Sequence, residues 1–130
     1  MRIRLSQIMS SQDAIKTLAS QKLPVRTAYK IQKNLRLLEP EVSNFEKIRS
    51  QLIMEKYGEE EEGSNGSYKV PPENMKDYLK ELNQLLDLEV TVDIQKVTLP
   101  ENFEMLVSDV YALDWMIDFD EEEKEENKNG

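Results

Sequence analysis

Residues 28–52 read AYKIQKNLRLLEPEVSNFEKIRSQL, and most of the architecture follows from this segment. Its apolar residues recur at spacings of three and four, the period of one face of an α-helix, and only Arg49 interrupts them. This apolar seam consists of Ala28, Ile31, Leu35, Leu38, Val42, Phe45 and Leu52. We therefore predict one long helix that Pro40 kinks or breaks around Leu37–Glu39 and that ends at Gly58.

A seam of this length requires a partner that covers it. A first helix, capped by Ser6 or Ser10, precedes the break at Leu23-Pro24, so the two helices are expected to form a helical hairpin. The first helix is too short to cover the whole seam. The remainder should contact the C-terminal elements or a second copy in a homo-oligomer, and its interface candidates are Leu35, Leu38, Val42 and Phe45.

The remaining segments predict short strands and two more helices. Arg2–Leu5 alternates like an edge strand, Glu59–Ser67 reads as a flexible connector, and Leu88–Gln95 alternates like a strand buried on one face. A strand–helix–strand unit is predicted from the strand Tyr68–Val70, a helix that begins near Pro72 and the strand Leu88–Gln95. The two strands would be parallel if they pair directly. Ser108 is expected to cap a last helix that carries Trp115 and Met116. The fold class is α+β, with one domain over residues 1–118 and a disordered acidic tail over 119–130.

The net charge of −9 is unevenly distributed along the chain. Residues 1–58 contain 11 basic and 5 acidic residues, whereas residues 63–117 contain 4 basic and 10 acidic residues. Opposite charge on two halves favours docking of one half on the other, or head-to-tail contacts between copies. The sequence contains no run of eighteen apolar residues, so we predict no membrane span.

The sequence contains little that supports catalysis. Cysteine and histidine are both absent, which excludes disulfides, thiol nucleophiles and imidazole bases. The pair Asp114 and Asp118 has helical spacing that could hold a hard cation, but a solvated helix face is the simpler interpretation. An EF-hand-like start at Asp118 fails because Glu123 occupies the required glycine position. We therefore predict a protein that is not an enzyme and has no cofactor or metal.

Two charged surfaces bear on possible partners. Four basic residues lie on the helix face opposite the seam: Arg26, Lys30, Lys33 and Arg36. They are either the solvated outer face of the helix or a stripe that could bind phosphates. Nucleic acid is an unlikely partner because the rest of the chain would repel a polyanion. The acidic residues are either solubilising or imitate a row of phosphates. The candidates for such an acidic surface are Glu59, Glu60, Glu61, Glu62, Glu121, Glu122 and Glu123.

Trp115 and Met116 raise a choice between core and surface. Either Trp115 closes the core with its indole N–H toward solvent, or Trp115, Met116 and Phe119 form an exposed apolar patch. Such a patch would anchor a protein partner, so Trp115 and Met116 join the interface candidates.

Several short stretches, in this order and spacing, resemble one known family. They are KLPV at residues 22–25, AYKI at 28–31, EKYG at 55–58, ELNQLLDLEV at 81–90 and LDWMI at 113–117. Together they are similar to small proteins from phages and prophages of Gram-positive bacteria, catalogued as a domain of unknown function. The resemblance covers residues 1–118 and supplies no active site.

The resemblance implies a non-enzymatic phage accessory protein that acts through protein–protein contacts, in assembly or in modulation of a host system. Its partner would be a phage structural protein or a host protein, and its location the cytoplasm of the infected cell or the virion. The alternative function is an acidic inhibitor that mimics DNA against a host defence or DNA-binding enzyme.

Overall fold

The computed structural model describes residues 1–63 and 66–118, and it confirms the α+β class. The elements follow one another in chain order as β1 (Arg2–Arg4), α1 (Leu5–Ser10), α2 (Gln12–Ala19), α3 (Val25–Gln51), a π-helical turn (Leu52–Tyr57), β2 (Glu59–Glu60), β3 (Tyr68–Lys69), α4 (Pro72–Leu86), β4 (Glu89–Thr91), β5 (Val97–Thr98), α5 (Val107–Leu113) and β6 (Ile117–Asp118). The predicted tail and the acidic candidates Glu121, Glu122 and Glu123 lie outside the described residues.

The long helix is present and is not broken at Pro40. Helix α3 runs without interruption from Val25 to Gln51 with Pro40 inside it. Proline removes the N–H that would bond the carbonyl of Arg36, which weakens the helix locally. Buried Ile31 and Leu38 before the proline, and buried Phe45 after it, hold both halves against the same core. Packing on both sides therefore outweighs the loss of one backbone hydrogen bond.

The helix ends at Gly58 as predicted, but by a different geometry. The last turn widens into a π-helical turn whose Gly58 N–H donates to the carbonyl of Ile53 at 2.6 Å. Gly58 itself is extended, with φ −91°, rather than left-handed. A Cβ at this position would clash with the carbonyl oxygen of Ile53. Glycine is required here by the close approach of backbone to backbone.

The strands form three two-stranded sheets. The predicted succession of strand, helix and strand is present as β3, α4 and β4, but the two strands do not pair directly, so they form no parallel unit. Strand β3 pairs with β2 in an antiparallel hairpin, so part of the predicted flexible connector is a strand. Strand β4 pairs instead with the N-terminal strand β1, also antiparallel, with Ile3 opposite Val90. The two strands that flank α4 therefore have different partners. The third sheet is parallel and joins β5 to β6.

The predicted first helix is two helices that meet at Ser11. The backbone of Ser11 remains in the right-handed helical region. The buried Ser11 hydroxyl also donates to a distant segment, at the carbonyl of Ala112, over 2.8 Å. Neither Ser6 nor Ser10 caps a helix, since α1 begins directly after β1 with no side-chain cap. Both α1 and α2 pack on α3.

One apolar core extends from the first strand to the last. Its buried members from α1, α2 and α3 are Leu5, Ile8, Ala14, Ile15, Leu18, Ile31, Leu38 and Phe45, and those from the C-terminal part include Val97, Leu113, Met116 and Ile117. The seam of α3 is thus covered largely within one chain. Because Leu38 and Phe45 are 2% and 5% exposed, this part of the seam needs no second copy to cover it.

Asn34 lies within this core as a polar residue that the apolar period did not indicate. It is only 2% exposed, and its amide donates to the carbonyl of Gln95 at 2.8 Å. The Gln95 N–H in turn donates to Asn34 Oδ1 at 3.2 Å. The predicted strand over Leu88–Gln95 ends at Thr91. Beyond it, the side-chain amide of Asn34 makes the hydrogen bonds with the Gln95 backbone that a neighbouring strand would otherwise make.

The last helix is shorter than predicted. Helix α5 is preceded by Leu106 rather than capped by Ser108, and it ends at Leu113. Trp115 and Met116 lie in a turn after the helix, and Ile117 belongs to β6. Among the described residues no helix combines the length and apolar character needed to cross a membrane.

Candidate functional site

The structure places the two predicted anchors Trp115 and Met116 inside the core. Met116 is 0% exposed and Trp115 is 9% exposed. Of the two alternatives, placement of Trp115 in the core is therefore correct, and an exposed patch at Trp115 and Met116 is wrong, because both side chains are buried. Phe119, the third proposed member, lies outside the described residues.

The indole of Trp115 is satisfied within the protein rather than by solvent. Its Nε1–H donates to the Ser11 hydroxyl oxygen at 3.0 Å and to the Ala112 carbonyl at 2.9 Å. The single Ser11 proton is shared between the Gln7 carbonyl at 2.6 Å and the Ala112 carbonyl at 2.8 Å. This small network joins the junction of α1 and α2 to the end of α5, and it is structural.

The remaining seam candidates line a shallow groove. Leu35 and Val42 are half-buried, and they lie with Gln12 of α2 and Glu39 of α3 along the contact between the two helices. Half-burial leaves little apolar area for another chain.

The most exposed apolar group is one that the sequence reasoning missed. Leu106, Val107 and Tyr111 are 70%, 87% and 83% exposed, and we call them the α5 patch. Val107 and Tyr111 are four residues apart and so lie side by side on the outer face of α5. The spacing of four residues between Val107 and Tyr111 is the signal that could have indicated them.

Hollows flank the α5 patch on both sides. Tyr111 borders one that is lined also by Gln7 and Ser10 of α1. Leu106 borders the other, which Thr17 of α2, Gln21 beyond the end of α2 and the half-buried Phe103 also line. Exposed apolar side chains beside concave, partly apolar surface are typical of a protein-interaction site.

Acidic residues surround the α5 patch. Asp13, Glu104 and Asp109 line the hollow next to Leu106, and Asp114 lines the hollow next to Tyr111. In residues 1–63 and 66–118 the ion pairs join Arg2 to Glu89, Arg49 to Glu46 and Lys56 to Glu81, so none of these four carboxylates is neutralised there. The patch is apolar at its centre and negative at its rim.

The predicted basic stripe is fully on the surface of α3. Arg26, Lys30, Lys33 and Arg36 are all exposed, as expected for positions opposite the seam. Val25 and Tyr29 lie on the same outer face and are 82% and 65% exposed. We call these six residues the α3 stripe. None of its cations takes part in an ion pair within the part of the chain that the structure describes.

A polar cluster fixes the far end of α3 to α4. Lys56 Nζ lies 2.7 Å from Glu81 Oε1, and this hydrogen bond raises the pKa of Lys56 and lowers the pKa of Glu81. The Tyr57 hydroxyl also favours the carboxylate, although no donor meets Glu81 Oε2 in hydrogen-bonding geometry. Desolvation raises the pKa of Tyr57, whose ring packs edge-on against Tyr78.

The predicted acidic surface is divided between elements. Glu59, Glu60, Glu61 and Glu62 are exposed in and after β2. Neighbouring residues of a strand point to opposite faces, so Glu59 and Glu60 do not form a one-sided row. Glu89 is paired with Arg2 at 2.7 Å.

No described part of the chain brings three or more acidic side chains into a group suited to a metal ion. Comparison of the sequence with family models and with curated proteins, and of the structure with solved structures, finds no match.

Proposed function

We propose that this chain is a non-enzymatic protein-interaction module that binds its partner through the α5 patch. The single observation that carries this proposal is the exposure of Leu106, Val107 and Tyr111, at 70%, 87% and 83%, on the short helix α5 and the residue that precedes it. The acidic rim specifies the chemistry of the partner. It is a protein segment with a few large apolar side chains flanked by lysine or arginine.

The polar groups of the described core support a role without catalysis. Ser11 and Asn34 are buried, and each makes hydrogen bonds that join distant segments. Groups committed to structure in this way are not poised to act on a substrate.

The setting follows only from the sequence resemblance. We propose a phage accessory protein, working in assembly or in modulation of a host system inside the infected cell. The acidic DNA mimic is less favoured, because Glu59 and Glu60 point to opposite faces of β2 and Glu89 is paired with Arg2.

The test compares two double variants of the full chain. V107S/Y111S removes the α5 patch, and M75S/L79S removes an equally spaced apolar pair on α4 whose members are 38% and 44% exposed. The protein captured by the wild type from infected-cell lysate is purified and titrated with each variant. We expect V107S/Y111S to weaken binding by about 30-fold or more, as loss of large anchor residues does. The control M75S/L79S should bind like the wild type.

Equal affinity of V107S/Y111S and the wild type for the captured protein would contradict the proposal. A DNA mimic predicts a different outcome. Binding would then be lost when Glu59–Glu62 are changed to glutamine, would be competed by duplex DNA, and would not depend on Val107 or Tyr111. Circular dichroism of each variant shows that its fold is intact before binding is compared.

A further inference from the structure

Two exposed valine–tyrosine pairs occur on different helices of this chain. Val25 and Tyr29 lie on α3, and Val107 and Tyr111 lie on α5, each pair with a spacing of four residues. Their exposures are 82% and 65% on α3, and 87% and 83% on α5. Both pairs therefore present apolar surface that nothing in the described chain covers.

The charges around the two pairs are opposite in sign. Arg26, Lys30, Lys33 and Arg36 surround Tyr29 along the α3 stripe, and all four are exposed. Asp13, Glu104, Asp109 and Asp114 surround the α5 patch. Neither group is neutralised by ion pairs in residues 1–63 and 66–118. The α3 stripe thus has the chemistry that the α5 patch requires of a partner.

We propose that the α5 patch of one copy binds the α3 stripe of a second copy. This inference rests on the α5 patch being the binding surface of the proposed function, and it names the partner. The apolar pairs would supply the anchors, and the opposed charges would steer the two faces together and fix their orientation. Each face lies open on its own chain, so the contact joins two chains.

The contact is of the heterologous type, because the two faces differ. A chain that uses its patch on one neighbour still has a free stripe for another neighbour. Association therefore continues beyond a dimer, into a closed ring or an open filament. A nucleic acid on the α3 stripe is less favoured, since a chain with a net charge of −9 repels a polyanion.

The experiment uses two full-length variants that each lack one face. R26S/Y29S disables the α3 stripe by removing its tyrosine and one cation. V107S/Y111S disables the α5 patch by removing its valine and its tyrosine. Sedimentation velocity at tens of micromolar in 50 mM NaCl should show wild-type species larger than a dimer. Each variant alone should sediment as a 15.2 kDa monomer. An equimolar mixture should form a heterodimer and stop there, because it has one intact stripe and one intact patch. Raising the salt to 500 mM should weaken that heterodimer by about tenfold or more.

Matched controls separate this inference from trivial effects. All four changed side chains are exposed, so circular dichroism should show native folding. M75S/L79S should assemble like the wild type. A wild type that remains monomeric in 50 mM NaCl would overturn the inference. So would assembly of R26S/Y29S alone when V107S/Y111S is monomeric, since that pattern indicates patch-to-patch pairing. Binding of a duplex DNA probe that is lost in R26S/Y29S, without self-association of the wild type, would assign the stripe to nucleic acid instead.

The outcomes also distinguish the two proposals. If the wild type is monomeric but V107S/Y111S loses the captured partner, the interaction function stands and self-assembly fails. If V107S/Y111S still assembles and still binds the captured partner, both fail.

Discussion

The two halves of helix α3 are held to the rest of the molecule by different forces. Between Ile31 and Phe45 the helix buries apolar side chains against α1, α2 and the C-terminal segment. Beyond Phe45 it buries none, and no residue of the π-helical turn Leu52–Tyr57 is buried. That half is fixed by polar and aromatic contacts to α4. We infer that the global stability of the chain resides in the first half, and that the second half opens more easily.

The sharpest test of this comparison uses two methionines. Met116→Ala empties a site that is 0% exposed beside the first half, whereas Met54→Ala trims a side chain that is 55% exposed in the second half. We expect Met116→Ala to lower the free energy of unfolding by about 2–5 kcal/mol, from lost burial and the cavity left behind. Met54→Ala should stay within about 0.5 kcal/mol of the wild type. Urea denaturation measures both, and equal effects would contradict the inference.

A smaller effect is expected from Gly58→Ala at the far end of α3. The added Cβ meets the carbonyl oxygen of Ile53, which belongs to the backbone and cannot swing away. We expect a loss of about 1–3 kcal/mol, as for other overpacked sites. Hydrogen exchange should show faster exchange in the β2–β3 hairpin and unchanged exchange near Ser11. Uniform acceleration across the chain would mean that the π-helical turn is part of the same cooperative unit as the core.

Ser11→Ala tests the polar link within the apolar half. The substitution removes one of two acceptors of the Trp115 indole N–H and a donor to the Ala112 carbonyl. We expect a cost of about 1–2 kcal/mol, measured by urea denaturation. The matched control is Ser10→Ala, because the exposed Ser10 hydroxyl donates to the Gln7 carbonyl of its own helix, at 3.2 Å. The Trp115 emission maximum should shift only in Ser11→Ala, and no difference between the two variants would show that the link contributes nothing.

The smallest effect is expected from Glu81→Gln, and it depends on pH. The folded pKa of Glu81 is lowered, so its contribution is complete above the ordinary carboxyl pKa and is lost as the pH falls through the folded value. The folded pKa of Lys56 is raised, so its contribution is lost only as the pH rises through that value. Wild type and Glu81→Gln should therefore differ slightly in Tm at neutral pH and converge in strong acid. A constant difference down to the lowest pH would exclude the Lys56 pair as its cause.

The sequence predicted the elements better than their partners. The seam of α3 and the apolar face of α4 were evident because a helical period is a local property. Strand pairing was not, since β4 pairs with β1 at the other end of the chain. The last helix was predicted too long because Val110, Leu113 and Ile117 keep helical spacing. Ile117 instead pairs with Val97, a contact that no local pattern indicates.

The candidate site was predicted only in part. The outer position of the α3 stripe follows from the same period as the seam, and the exposure of its cations confirms it. The sequence did not indicate the α5 patch, because Trp115 and Met116 are the largest apolar residues nearby and local sequence does not show that they are buried. Their burial depends on Ser11 and on β5, which are distant in sequence.

The Ser11–Trp115 bond has a consequence for the synthesis of the protein. Its two residues are 104 positions apart, so at ribosomal rates of about 5–20 residues per second the first waits roughly 5–20 s for the second. During that interval the apolar faces of α1, α2 and α3 have no C-terminal cover. The core closes only after Ile117 has been translated, so the first three helices cannot complete their packing on their own.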